Sequence, residues 1–202
     1  MEQAALVTLL SQIAMGFALA ACSGLRAFIP PLAIGLASRS GLVHLPGGFE
    51  WLGETPALTV LSLAVIFETV GDKVPILDHA LDTAGTLLRP AAGALVGMIP
   101  VFEAVSRLSG EESSLAWAAG LAGGGVGAAV SAGVHLAKSN VRLGSTATTA
   151  GIANPVISVF EDIVTIAGTI VSILLPVIAL ALLLMAGALV ARLVRRPRRP
   201  AH

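Results

Sequence analysis

Three long stretches of this chain carry no charge: Ala4 to Cys22, Leu115 to Leu136 and Ile163 to Ala191. A helix needs about 20 mostly apolar residues to cross the hydrocarbon of a bilayer, and each stretch meets that length. Composition agrees. Hydrophobic residues make up 55% of the 202, charged residues only 12%, and mean hydropathy is +0.90. So few charges cannot cover the surface of a water-soluble globule of this size. The formal net charge of +0, with basic residues clustered only in the tail, excludes a nucleic-acid binder. One Cys and no Tyr exclude a disulfide scaffold and a cysteine-rich metal site. The chain reads as an all-α integral membrane protein.

Six crossings are expected, at 3–22, 56–72, 86–106, 114–137, 150–167 and 170–192. Leu25 to Leu36 is interrupted by Pro30-Pro31 and flanked by Arg26 and Arg39, which suits a re-entrant or interfacial hairpin. Basic side chains set orientation. The tail Arg192, Arg195, Arg196, Arg198 and Arg199 is expected in the cytoplasm, and six crossings put the N-terminus there too. Leu19-Ala20-Ala21-Cys22 has the form of a lipoprotein cleavage box, but the start Met1-Glu2-Gln3 lacks the basic residues of a signal peptide; a first helix is the reading adopted.

An internal repeat is visible. Ser23 to Ser38 lines up with Ser139 to Asn154, pairing Arg26 with Arg142; Phe67-Glu68 lines up with Phe160-Glu161; Ala84-Gly85-Thr86 lines up with Ala167-Gly168-Thr169. The expected organisation is a first repeat over 1–110, a second over 111–192 and a basic cytoplasmic tail over 193–202. Three crossings per half invert the second copy, a plan that places a transporter's site at the repeat interface. If Leu25–Leu36 crosses instead, the halves run parallel.

Ionisable groups within the membrane cost about 2.5–3.5 kcal/mol each on insertion scales, so they are read first as functional. Arg26 and Arg142 offer planar forks for carboxylate or phosphate. Ser145, Thr146, Thr148 and Thr149 follow Arg142 in what reads as a helix start, whose N–H groups would face an anion; Asn154 completes this substrate set. Glu68, Glu161 and Asp162 are the candidate proton carriers. Glu68, Asp72, Glu161 and Asp162 form an alternative ligand set for a divalent cation. Asp78, His79 and Asp82 read as a solvated loop and His135 as a lining residue. An Arg/Glu quartet that only neutralises itself, as an internal clamp, is the structural alternative. The glycines of Gly120 to Gly127 repeat at the spacing of close helix packing. Hydrolase, zinc-protease and phosphate-loop motifs are missing, so neither an enzyme nor a cofactor is expected.

The run Ser23-Gly-Leu-Arg-Ala-Phe-Ile-Pro-Pro-Leu, then Glu68, Gly71-Asp72-Lys73-Val-Pro, Asp78 and Asp82-Thr-Ala-Gly-Thr, then Thr148-Thr-Ala-Gly, Asn154-Pro and Glu161-Asp162 resembles the bacterial membrane proteins grouped as domain of unknown function 4126. That resemblance implies an inner-membrane protein. Glu68-Thr-Val-Gly71-Asp72-Lys73 is also similar to the Glu-x-Gly-Asp-Lys-Ser/Thr motif of small manganese/calcium–proton exchangers, departing by one inserted residue and by Val74. The expected function is a secondary transporter, coupling protons to a small anionic solute or a phosphate-bearing lipid headgroup. Divalent-cation exchange and a non-transporting scaffold are the alternatives. The expected partners are the bilayer and that solute or headgroup; a homodimer is left open.

Overall fold

The computed structural model describes residues 2–110 and 112–194, with side chains apart from residues 2, 75–79, 190–191 and 193–194. Among them are seven α-helices and no strand: α1 (Glu2–Leu25), α2 (Ile29–Arg39), α3 (Thr55–Gly71), α4 (Pro75–Ser109), α5 (Ser114–Thr149), α6 (Asn154–Leu174) and α7 (Pro176–Val194). Proline opens α2, α3, α4 and α6 within their first two positions, where its missing N–H costs nothing. Segments of α1, α4, α5 and α6 are long and apolar enough to cross a membrane; α3 and α7 contain shorter apolar helices. The outward faces are apolar, as in Val60, Leu63 and Ile66 of α3 and Ile163, Ile166 and Ile170 of α6. The protein is a helical membrane protein.

Glycine builds its centre. A Cβ on Gly16 of α1 would stand 3.1 Å from the Gly97 carbonyl of α4, and one on Gly97 would stand 2.8 Å from the Gly123 carbonyl of α5. Backbones this close leave no room for a side chain, the small-residue packing expected of Gly120–Gly127. Beside this seam Met15, Leu19, Ile34, Val96 and Ile99 form a buried apolar core with Leu45, Phe49 and Leu52.

Contacts fix the helix directions. Gly24 of α1 lies against Ser131 and Val134 of α5, and nearer the N-terminus Ile13, Gly16 and Phe17 share a wall with Gly123 and Gly127. Residue numbers rise together, so α1 and α5 run parallel. α4 opposes α5, with Arg89 beside His135 and Phe102 beside Gly120. α2 leads the chain from Arg26 toward the end where α1 began: Arg39 Nη1 donates to Thr55 Oγ1 at 3.0 Å, and from Thr55 α3 returns to meet Arg26 at Asp72. Pro176, at the start of α7, borders a cavity with Ser11, whereas Ala186 lines another with Leu25. The described chain therefore begins at one end of the bundle and finishes at the other.

Two expectations are corrected. An inverted relation between 23–38 and 139–154 needs α1 and α5 antiparallel, and they are parallel. Both termini are expected on one side, whereas the first described helix begins and the last described helix ends at opposite ends of the bundle. The reason is common to both. A re-entrant or interfacial hairpin at the proline-interrupted segment returns the chain to its own side, but α2 carries it to the other end and adds one reversal. Arg195, Arg196, Arg198 and Arg199 of the tail lie outside the described residues.

Candidate functional site

The end of the bundle where α1 stops holds most of the buried charge. Arg26 follows the last turn of α1, Glu68 and Asp72 end α3, Arg89 sits in α4 before Pro90, His135, Lys138 and Arg142 occupy successive turns of α5, and Glu161 lies in the second turn of α6. All are buried. On α6 the inward residues Ser158, Glu161, Thr165, Thr169 and Ser172 recur every three or four positions, one polar stripe on an otherwise apolar helix.

Asp72 is the hub. Its Oδ2 pairs with Arg26 Nη1, with Arg142 Nη2 at 3.0 Å and with Lys138 Nζ at 3.4 Å. Its Oδ1 carries no hydrogen bond among the described residues. Glu161 Oε2 faces the same cations: Arg142 Nη2 at 2.8 Å, Lys138 Nζ at 3.1 Å and Arg26 Nη2 at 3.8 Å. Arg26 also donates to Ser158 Oγ at 2.8 Å and lies 2.7 Å from Asp162 Oδ1, and Asp162 reaches Lys73 at 3.1 Å. Lys138 gives a further hydrogen bond to the Leu25 carbonyl at 3.0 Å.

A second group adjoins the first. Glu68 accepts from the backbone N–H of Ala27 at 3.1 Å and of Phe28 at 3.4 Å, just before α2 begins, and lies 3.5 Å from Arg89 Nη2. A carboxylate at this position compensates the positive end of α2, where prolines supply no N–H. Arg89 Nη1 donates to His135 Nδ1 at 2.6 Å, which leaves the ring proton on Nε2, 3.5 Å from Thr86 Oγ1. The Arg89 side chain also lies 3.4 Å from Asp82. Its backbone carbonyl accepts from Ser131 Oγ at 2.6 Å.

Arg26, Lys73, Arg89, Lys138 and Arg142 are thus matched by Glu68, Asp72, Asp82, Glu161 and Asp162. In a low-dielectric interior such balance is what makes burying this much charge tolerable.

The structure brings Arg26, Arg142, Glu161 and Asp162 together and sets Glu68 beside them. It does not bring in the hydroxyl set. Ser145, Thr146, Thr148 and Thr149 are the last turns of α5, not a helix start, and no N-terminal N–H groups point from them. The reason is that Lys138 and Arg142 find buried partners, so α5 has no cause to stop at residue 137. Thr148 and Thr149 donate to the Ser145 carbonyl at 3.3 and 2.7 Å, and Asn154 Nδ2 donates to Thr146 Oγ1 at 3.1 Å, tying α5 to α6. That turn uses left-handed backbone at Ala150 and Gly151, with φ of 52° and 83°. Asn140 donates to the Leu136 carbonyl on the exposed face.

Glu68, Asp72, Glu161 and Asp162 do not form a metal-ligand group; among the described residues no three His, Cys, Asp or Glu side chains are so placed. Arginine and lysine stand where an ion would. Asp78 and His79 lie outside the described side chains. The site residues that the sequence did not single out include Arg89 and Ser158. The polar stripe of α6 was the available signal for Ser158.

A family model described as a domain of unknown function (DUF4126) matches residues 13–196. The chain belongs to that family. No curated protein and no solved structure matches it. In this DUF4126 member the matched residues include every side chain of the buried ionic network.

Proposed function

We propose that the protein is a small secondary transporter whose ionic network is the site for an anionic group, a carboxylate or phosphate on a small solute or a lipid headgroup. The supporting observation is the convergence of Arg26, Lys138 and Arg142 on both Asp72 and Glu161. The two carboxylates occupy the positions an incoming anion would take. Protonating one of them releases cations that a substrate anion then pairs with, so that a proton and an anion enter together and the buried charge stays balanced. Glu161 is the proton carrier with most to release, since α6 brings it against cations held by α1 and α5. Glu68, anchored to the start of α2, holds the α1–α2 connection instead. We assign the ionic end to the cytoplasmic face of a bacterial inner membrane, because Arg26, Lys73, Arg89, Lys138, Arg142 and Arg192 belong to it, against Arg39 and Arg107 at the other.

The test is transport by the full chain in proteoliposomes under a pH gradient, with inorganic phosphate as soluble probe and a fluorescent anionic phospholipid as lipid probe. Transport of either, lost in Arg142→Ala and uncoupled from the gradient in Glu161→Gln, is the expected result. Folded protein that moves neither probe overturns the reading. A second reading rests on the burial itself: Arg26, Asp72 and Lys138 have side chains 0–1% exposed, as in a clamp that binds nothing. It predicts variants that lose stability while transport is absent throughout. Divalent-cation exchange is disfavoured by the cations at the carboxylates.

A further inference from the structure

A second polar site lies at the opposite end of the bundle, away from the ionic network. There a cavity of about 200 Å³ opens between α1, the segment after α2, and α4, bordered by Ser11, Gln12, His44, Glu103 and Arg107. Met15 and Ile99 line it and belong to the apolar core, and no residue of the ionic network borders it. Glu103 is its buried element, with a side chain 7% exposed, while Arg107 and His44 are 54% and 67% exposed at the mouth.

The pairing at Glu103 is one-sided. Oε1 takes Arg107 Nε and, at 3.0 Å, His44 Nδ1. Oε2 has no partner among the described residues, and neither do the two Nη groups of Arg107. Glu103 borders the cavity, and for a carboxylate there a charged donor makes the strongest bond. Arg107 and His44 border the same cavity and offer donors to an acceptor held there.

We infer that this cavity is a binding site for a small zwitterionic group, its ammonium on Glu103 Oε2 and its carboxylate or phosphate on Arg107 and His44. The volume fits a group the size of an amino acid or of phosphoethanolamine. The same chemistry is carried by a free solute and by a zwitterionic phospholipid headgroup. The site does not depend on transport through the ionic network.

The test uses the purified full chain and two probes: O-phosphoethanolamine titrated in detergent by calorimetry, and nanodiscs of phosphatidylethanolamine compared with nanodiscs of phosphatidylglycerol by thermal unfolding. Binding of O-phosphoethanolamine identifies a free solute; stabilisation by phosphatidylethanolamine alone identifies the headgroup. In either case Glu103→Gln and the surface variant Arg107→Ala each weaken the effect by about tenfold or more, the scale of a lost charge-assisted hydrogen bond, while Glu50→Gln, on an exposed side chain outside both sites, leaves it unchanged. Arg107→Ala keeps the test decisive if Glu103→Gln does not fold. The inference is overturned if neither probe acts or if Arg107→Ala binds like the parent.

Discussion

Asp72 receives three cations on one oxygen, and removing it takes away one of the two carboxylates, with Glu161, that Arg26, Lys138 and Arg142 all face. An uncompensated buried charge costs far more than the intact pair contributes, about 3–5 kcal/mol on loss of one partner. Asp72→Asn should therefore lower thermal stability in detergent by that amount, whereas Glu50→Gln, on an exposed side chain, should leave the melting temperature alone. Equal melting of the two would remove Asp72 from the hub. At this scale the sequence was partly legible. Arg26, Arg142, Glu68 and Glu161 stand out because charge in an apolar context needs a reason. Asp72 was visible only as a potential metal ligand, since a carboxylate does not reveal whether a metal or an arginine will face it. Arg89 has no local partner to announce it, since His135 lies 46 residues away.

Among the elements, α5 teaches most. Its 36 residues amount to about 54 Å of helix, well beyond the ~30 Å hydrocarbon core. Hydropathy alone ended it at the first charge, whereas the helix continues because Lys138 and Arg142 turn inward. The glycines of α5 divide by face, and substitution should reveal the division. Gly97→Ala on α4, pressing into the Gly123 carbonyl, should cost about 1–3 kcal/mol through overpacking. Gly125→Ala and Gly133→Ala, where a Cβ meets nothing within 4 Å, should be neutral or gain up to about 1 kcal/mol from helix propensity. Thermal unfolding of the three variants side by side measures this. The GxxxG spacing announced that a close partner exists; that the partners are Gly93 and Gly97 of α4 comes only from the fold.

For the whole molecule, the long apolar helices were legible and the path between them was not. Length and hydropathy located α1 and α3 to α7, but an 11-residue helix with two prolines falls below any span threshold, and the direction of everything after it turns on whether it reverses the chain. Sided labelling tests the result. In a Cys22→Ala background, Ala4→Cys and Arg192→Cys should react with a membrane-impermeant maleimide from opposite faces of sealed vesicles. Reaction from the same face would restore an even number of passages.

The apolar core of Met15, Leu19, Val96 and Ile99 separates the ionic network from the polar cavity at the other end. Seen electrically, it is insulation: two charged compartments in series with a greasy spacer between them. The ten charged side chains of the network and the Glu103–Arg107 pair of the cavity are thereby held apart by hydrocarbon side chains.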